Sequence, residues 1–160
     1  MKNLLLEATP LNLKEITNTE KEIWNQPLLW KNIYDQVLTE KESIAEFLNI
    51  VSSLENLNIV ITGAGTSAFI GLSLTGVYNR YFKKHITAMS TTDLVTHPLD
   101  YLNPDKPLFL ISFARSGNSP ESVAAVQIAD QICSNVYHLI ITCDATGDLA
   151  RYNSNSSKYV

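Results

Sequence analysis

Two short segments of this 160-residue chain combine glycine with hydroxyl side chains in a way that suits a bound anion. Residues 63–67 read Gly-Ala-Gly-Thr-Ser, and residues 114–119 read Ala-Arg-Ser-Gly-Asn-Ser. Each segment precedes a predicted helix, where unpaired backbone N–H groups and the positive end of the helix dipole attract negative charge. Hydroxyl groups donate hydrogen bonds without adding a fixed charge, and Arg115 would add one cation. The two segments together therefore predict a cradle for a single phosphate group.

The serines of the second segment also have purely structural explanations. Ser116 is typical of a turn, and Ser119 is typical of the N-cap of a helix opened by Pro120 and Glu121. For either serine taken alone, the structural explanation is the better one. Phosphate binding is favoured because both segments carry hydroxyls and both follow predicted neighbouring strands.

Four short apolar runs, separated by predicted helices, indicate the strands that position these segments. Because the runs lack polar alternation, they predict a parallel sheet covered by helices on both faces, which is an α/β fold. Ligands of such sheets bind beyond the carboxyl ends of the strands, where residues 63–67, 113–119 and 143–148 lie. The runs are residues 59–62, 86–89, 108–112 and 138–142, and residues 158–160 read as the opening of a fifth strand.

The first third of the chain, residues 1–57, is predicted to be a helical extension ahead of a domain at residues 58–160. Capping boxes are predicted at Thr19 with Glu22 and at Thr39 with Glu42, and Pro27 suits the first turn of a new helix. A DNA-binding helix pair is the alternative, and the acidic balance of this segment argues against it. Apolar residues at helical spacing predict stripes that pack onto the following domain or a partner subunit, namely Trp30, Ile33, Tyr34, Val37, Leu38, Ile44, Phe47, Leu48 and Val51.

Composition and charge argue against several classes of protein. The chain is 45% hydrophobic, has a net charge of −4, and carries five lysines against nine acids in residues 1–57, so nucleic acid is a poor partner. No apolar run approaches the roughly 20 residues of a transmembrane helix, and the run at residues 4–6 is too short for a signal peptide. We therefore expect a cytoplasmic protein. Cys133 and Cys143 predict no disulfide framework, and the three histidines predict no metal site.

A nucleotide-binding loop is the main alternative for residues 63–67. The segment has the pattern GxG without the third glycine of the dinucleotide fingerprint, although Ala68 stands at a position that the relaxed pattern tolerates. The nearest acid after the second strand is Asp93, which is too distant to predict a ribose contact. The sequence also lacks the GxxxxGK[ST] pattern of a Walker A loop. Dinucleotide binding is therefore the weaker interpretation, and no cofactor is predicted.

Three longer strings resemble a known family. Residues 22–27 (EIWNQP), 62–71 (TGAGTSAFIG) and 112–126 (SFARSGNSPESVAAV) resemble the sugar isomerase (SIS) domain, a phosphosugar-binding module. Within that family they look like the tagatose-6-phosphate ketose/aldose isomerase branch, also described as galactosamine-6-phosphate deaminase/isomerase. The resemblance runs from about residue 20 to the C-terminus.

The resemblance implies a five-stranded parallel sheet of flavodoxin-like type and a set of phosphate contacts. One departure is that the wider family often reads Ser-Gln-Ser-Gly-Glu-Thr where this chain has residues 114–119, so a hydroxyl is lost at Ala114. Arg115, in place of Gln, either contacts phosphate or points to solvent or a partner chain. The residues assigned to phosphate are Thr66, Ser67, Arg115, Ser116 and Ser119, and those assigned to the substrate-binding loops are Gly65, Gly117 and Asn118.

A second departure concerns the acid–base chemistry. Family members carry two such domains in one chain, and the resemblance implies that this sequence ends within the first, before the segments that supply acid and base. No catalytic residue is therefore carried over. Glu121, Asp144 and His97 are local candidates for an acid or base. Each also has a better structural explanation: Glu121 as an acid in the first turn of a helix, Asp144 as a turn former and His97 as a loop histidine. We expect the 160-residue chain alone to be inactive.

The resemblance implies that the parent protein acts on a ketohexose or amino-hexose 6-phosphate, such as tagatose 6-phosphate or galactosamine 6-phosphate. Aldose/ketose isomerisation needs a base that moves a proton between C1 and C2 through an enediol, and a deaminating version would also expel ammonia. Neither step requires a metal or an organic cofactor. The expected partners are the sugar phosphate and further copies of the chain, without nucleic acid or membrane. A non-catalytic sugar-phosphate-sensing domain of a regulator stays open as the alternative.

Overall fold

A five-stranded sheet organises most of the chain in the computed structural model, which describes residues 17–82, 84–154 and 157–160. All paired strands are parallel, and their order is β2-β1-β3-β4-β5. This is the flavodoxin-like order, in which the chain winds outward in both directions from the first strand. The predicted α/β fold is therefore confirmed. The strands are β1 (Asn58–Gly63), β2 (Ile86–Ser90), β3 (Leu108–Ala114), β4 (Val136–Thr142) and β5 (Ser157–Tyr159).

Helices connect the strands, as parallel pairing requires. The long ones that follow β1 and β3 were predicted from apolar periodicity, whereas three helices of four to six residues were not. A segment that short has too few residues to show helical periodicity in the sequence. The helices are α1 (Asn18–Thr39), α2 (Lys41–Ser52), α3 (Thr66–Phe82), α4 (Thr91–Thr96), α5 (Pro98–Tyr101), α6 (Pro120–Ile132) and α7 (Asp148–Arg151).

The hydrophobic core lies in two layers, one on each face of the sheet, because successive side chains of a strand point to opposite faces. On one face, Val60 and Leu110 pack with Leu94 of α4 and Val126 of α6. On the other face, Ile61 and Ile111 pack with Val51 and Phe47 of α2 and with Tyr78 of α3. Covering both faces explains why β1 and β3 read as continuous apolar runs.

The described residues fall into two units that divide between Ala45 and Glu46. In the first unit, α1 leaves its large apolar side chains exposed, including Trp24 at 60%, Trp30 at 64% and Tyr34 at 64%. The run at residues 4–6 that argued against a signal peptide lies outside the described residues. Within the part of the chain that the structure describes, no helix is long and apolar enough to cross a membrane.

The predicted helix boundaries of the first unit were wrong in three places. The capping box is formed by Thr17 and Glu20, not by Thr19 and Glu22. Thr39 is the last residue of α1, where its hydroxyl donates to the carbonyl of Asp35 at 3.0 Å. Pro27 lies inside α1 rather than opening a new helix. A proline removes one backbone hydrogen bond, and α1 continues because helical turns on both sides sustain it.

Candidate functional site

Strand pairing brings the predicted phosphate-binding segments together at the carboxyl edge of the sheet. β1 and β3 are direct neighbours, with Gly63 paired to Phe113, so the loops that follow them start side by side. β4 pairs with β3 on its other side, where Ala114 meets Thr142. The turn after β4 therefore flanks the second loop, and the three segments form one continuous surface.

The first loop, residues 63–67, turns directly into α3. The N–H of Ser67 donates to the carbonyl of Ala64, and the N–H of Ala68 donates to the carbonyl of Gly65, both at 3.1 Å. Thr66 opens the helix and is exposed, while Ser67 is half-buried. Both hydroxyls are thus carried by the first turn of a 17-residue helix, where the dipole field is strongest.

The second loop, residues 114–119, contains backbone donors at exposed Ser116, buried Gly117 and half-buried Ser119. No described residue accepts a hydrogen bond from the N–H of Ser116, Gly117 or Ser119. Ser116 is exposed, and its hydroxyl oxygen is 3.4 Å from the N–H of Asn118, which donates to it. The loop leads into α6, whose 13 residues direct the positive end of their dipole toward these groups. Free amides at such a position are suited to binding an anion.

The Arg115 side chain adds an exposed positive charge to the second loop. It is exposed, and its guanidinium forms no ion pair with any residue that the structure describes. Its backbone carbonyl, by contrast, is fixed, because it accepts from the N–H of Cys143 at 3.0 Å and from the Thr142 hydroxyl at 3.1 Å. The arrangement is compatible with either role that the sequence leaves open for Arg115.

Ser119 occupies the N-cap position of α6, but its side chain does not cap the helix. Its hydroxyl donates instead to the hydroxyl of Ser122 at 2.6 Å, and its backbone carbonyl accepts from the N–H groups of Ser122 and Val123. The prediction that the Ser119 side chain caps the helix is therefore wrong. The reason is that Ser122, one turn along, offers the Ser119 hydroxyl a buried partner of its own.

The turn after β4 clamps the second loop in place, which the sequence did not predict. The N–H of Asp148 donates to Asn118 Oδ1 at 2.9 Å, and the N–H of Leu149 donates to the carbonyl of Gly117 at 2.9 Å. Asn118 was predicted only as a loop residue, and its side chain in fact joins the second loop to the start of α7. Together with the two contacts to Arg115, these bonds hold the second loop along its length.

Two glycines make the clamp sterically possible. A Cβ at Gly147 would lie 2.1 Å from the carbonyl oxygen of Ser116, so any side chain there would collide with the loop. Gly117 has a φ of +69°, and a Cβ there would lie 3.2 Å from Cβ of Leu149. Glycine adopts this φ without steric cost. The signal that could have revealed the contact is Gly147 itself, a glycine in the polar segment after a buried strand.

The local acid–base candidates do not form a constellation in the structure. Asp144 Oδ1 accepts from the N–H of Thr146 at 2.8 Å and from its hydroxyl at 2.7 Å, and these bonds lower the pKa of Asp144. His97 follows α4 and contacts the hydroxyl of Thr96, while Glu121 lies half-buried in the first turn of α6. No hydrogen bond or ion pair joins these three residues, and among the described residues no cluster of His, Cys, Asp and Glu could hold a metal ion.

Three buried hydroxyls lie at or near the same edge of the sheet and were not predicted. Thr62, Ser112 and Thr91 are each at most 3% exposed, and no described residue forms a hydrogen bond with their hydroxyl oxygens. Thr62 and Ser112 are register partners on β1 and β3, and they lie one and two residues before the loops at residues 63–67 and 114–119, respectively. Thr62 and Ser112 escape prediction because they stand within otherwise apolar strands, and Thr91 because it opens the short helix α4 directly after β2.

A broad cleft of about 710 Å³ lies elsewhere, at the amino ends of the strands. Its lining includes Asn58, His85, Tyr101 and Lys106, and it contains none of the predicted site residues. Binding sites of open parallel sheets lie at the carboxyl edge. The free amides and the helix N-termini are also there, so the candidate site is at that edge and not in the cleft.

Comparison with known families decides the classification. The SIS domain family matches residues 54–157, which is most of the chain and all of the sheet except its final residues. The chain belongs to the SIS domain family. The resemblance inferred from the sequence motifs is thereby confirmed.

Several SIS-domain proteins are similar to this chain over much of its length. D-galactosamine-6-phosphate deaminase AgaS of Escherichia coli is 47% identical over 148 residues, which cover 92% of this chain and 38% of that protein. The protein of the same name from Shewanella sp. (strain ANA-3) is 42% identical over 158 residues, covering 97% and 41%. The crystal structure of tagatose-6-phosphate ketose/aldose isomerase from Escherichia coli superposes with a TM-score of 0.85 at 46% identity, covering 94% and 42%. The chain thus spans about two fifths of the length of these relatives.

Proposed function

We propose that this chain is a phosphosugar-binding domain whose ligand phosphate lies between residues 63–67 and residues 114–119. The observation that carries the proposal is the set of free N–H groups of Ser116, Gly117 and Ser119 at the start of α6. A phosphate oxygen accepts readily from such groups, and the helix dipole stabilises its charge. The hydroxyls of Thr66, Ser67 and Ser116 supply further donors, and Arg115 supplies a cation. The Ser119 hydroxyl would join them by turning its one O–H from Ser122 to the phosphate.

We propose that the protein containing this domain acts on a hexose 6-phosphate or an amino-hexose 6-phosphate. The support is that similar proteins are named D-galactosamine-6-phosphate deaminase and tagatose-6-phosphate ketose/aldose isomerase. Both names describe chemistry at C1 and C2, the carbonyl carbon and its neighbour, far from the 6-phosphate that the loops would hold. In the isomerisation, a base would move a proton between C1 and C2 through an enediol. In the deaminating reaction, the same proton shift would give an imine at C2, which water would hydrolyse to the 2-ketose phosphate and ammonia.

We also propose that the protein is cytoplasmic and assembles with copies of itself. The support for assembly is the set of exposed apolar side chains on α1, which include Trp30 and Tyr34. Large apolar side chains that recur on one helix and remain exposed are typical of surfaces that pack against another chain.

A thermal-shift panel tests the proposed ligand class. Galactosamine 6-phosphate and tagatose 6-phosphate, each at a hundredfold excess over Kd, should raise Tm by about 5–10 °C, because a ligand of the folded state alone stabilises it by mass action. Free galactosamine should give no comparable shift, since it lacks the anion that the loop amides would bind. Equal shifts from galactosamine and its 6-phosphate would contradict a phosphate site.

Binding and turnover are expected to separate in the 160-residue chain. The chain should bind the sugar phosphate without producing ammonia or ketose, because a proton-transferring base must lie within hydrogen-bond reach of the substrate, and Glu121, Asp144 and His97 show no shared contact. Coupled assays for ammonia release and for isomer formation measure this. Turnover at the rate of an intact relative would show that the catalytic groups are present here, and Glu121→Gln would be the first variant to examine.

A further inference from the structure

A buried cluster around Asp130 lies outside the site described above. Asp130 Oδ1 accepts from Nε2 of His138 at 2.8 Å, and its Oδ2 accepts from the hydroxyl of Tyr152 at 2.8 Å and from that of Ser154 at 2.6 Å. His138 is fully buried on β4, and the Asp130 side chain is 14% exposed. One carboxylate thus joins α6, β4 and the segment that follows α7.

The protonation states of this cluster support a persistent set of bonds. Partial burial pushes the pKa of Asp130 upward, but the hydrogen bonds from His138, Ser154 and Tyr152 outweigh it, so the pKa lies below its ordinary value. Burial, together with the bond to the Asp130 carboxylate, raises the pKa of Tyr152 to about 12. At neutral pH the carboxylate is therefore an acceptor and the tyrosine a donor. Hydrogen bonds with one charged partner are the stronger kind.

α7 connects this cluster to the loop at residues 114–119. At its beginning, the N–H groups of Asp148 and Leu149 bind Asn118 and Gly117. At its end, the C-cap residue Tyr152 binds Asp130. A helix of four residues is not stable by itself, because it forms too few backbone bonds to offset nucleation. Its position is therefore set by what holds each end.

We propose that Asp130 is a positioning residue of the phosphosugar site: through Tyr152 it fixes α7, and α7 fixes Gly117 and Asn118 in the loop. The proposal rests on the proposed function, since it takes that loop to hold the phosphate. Lys158 of β5 strengthens the same end of α7, because its Nζ donates to the carbonyls of Ala150 at 2.9 Å and Tyr152 at 2.6 Å. In this proposal Asp130 does not contact the ligand itself, and its effect on the loop passes through Tyr152 and α7.

The competing explanation is that Asp130 serves only as the hydrogen-bond acceptor of the buried His138. Tyr152→Phe separates the two explanations, because it removes the bond to α7 and leaves the His138–Asp130 contact in place. The phenylalanine keeps the aromatic ring, whose centroid lies 6.4 Å from that of His138. Tyr101→Phe is the matched control, since Tyr101 is also half-buried against the same core layer but lies at the opposite edge of the sheet.

Two measurements on the 160-residue chain test the proposal. In Tyr152→Phe, hydrogen exchange of the Asp148 and Leu149 amides should accelerate about tenfold, the effect of losing one hydrogen bond to a charged group, while amides of β1 keep their rates. Calorimetric titration with galactosamine 6-phosphate should show Kd weakened about tenfold. Tyr101→Phe should change neither quantity. Asp130→Asn, which keeps the side-chain volume, should act in the same direction as Tyr152→Phe.

Each departure from these results overturns a specific part of the proposal. Unchanged exchange at Asp148 and Leu149 would show that Asp130 does not position α7. Faster exchange with unchanged Kd would show that α7 does not position the phosphate loop. If the unmodified chain binds no sugar phosphate, the proposed function fails and Asp130 loses its role in the site, while the exchange rates still decide whether Asp130 holds α7.

Discussion

Gly147→Ala is expected to abolish measurable sugar-phosphate binding and to lower the free energy of unfolding by about 3 kcal/mol, the upper end for overpacking a close contact. The new Cβ would lie 2.1 Å from the carbonyl oxygen of Ser116. Because the backbone fixes the position of Cβ and the Ser116 oxygen is itself a backbone atom, no side-chain rotation can relieve the collision. Either the loop at residues 114–119 or the start of α7 must move, and the free amides of Ser116 and Gly117 would lose their alignment.

Gly76→Ala is the matched control for this change. Gly76 lies in the interior of α3, and a Cβ there would meet no atom within 4 Å. That variant should be more stable by up to about 1 kcal/mol, since alanine is the better helix former, and it should bind with unchanged Kd. Chemical denaturation and calorimetric titration measure both quantities. Wild-type affinity in Gly147→Ala would show that the turn after β4 does not shape the site.

The double substitution Ser116→Ala and Ser119→Ala is expected to weaken sugar-phosphate binding by about 10²- to 10⁴-fold. A hydrogen bond to a charged group contributes about 1.5–3 kcal/mol, which is roughly 10- to 150-fold in Kd for each hydroxyl. The loss of stability should be about 1–3 kcal/mol, because Ser119→Ala leaves the buried Ser122 hydroxyl without its partner. Ser116 adds little to this loss, since it is exposed. Affinity would therefore fall while the fold persists.

Ser53→Ala provides the comparison for the double variant. The Ser53 hydroxyl donates to the carbonyl of Ile50 at 2.7 Å, before β1 and thus away from the carboxyl edge. Ser53→Ala should leave the Kd for the sugar phosphate unchanged in calorimetric titration. Should the double variant bind as tightly as the wild type, the phosphate does not contact these hydroxyls, and the serines serve only the turn and its contact with Ser122.

The sheet could be predicted from the sequence because each strand carries its own signal. β1 and β3 are buried on both faces, so their apolar runs are unbroken, and β1 ends at a glycine. The short helices α4, α5 and α7 carry no such signal, since their positions depend on contacts with distant residues. The Thr17–Glu20 capping box escaped prediction because Thr19 and Glu22 offer the same spacing two residues later.

The candidate site was predictable to the extent that it follows from topology. Residues 63–67 and 114–119 were expected at neighbouring strand ends, and the pairing of β1 with β3 places them there. The contacts of individual side chains were not predictable: the sequence does not show that Asn118 reaches Asp148 or that Ser119 binds Ser122. These depend on the path of the backbone after β4. The phosphate contacts of Thr66, Ser67, Arg115, Ser116 and Ser119 stay predictions.

The bond between the Leu149 N–H and the Gly117 carbonyl has a consequence for the growing polypeptide. Synthesis proceeds from the N-terminus, so the loop at residues 114–119 leaves the ribosome well before α7. At that stage β1, β2 and β3 can already pair, but nothing yet holds the loop in its final shape. Domains fold as units once their chain has emerged. If this loop binds the sugar phosphate as proposed, the chain becomes able to bind only after α7 has been synthesised, and the ligand would stabilise none of the earlier steps of folding.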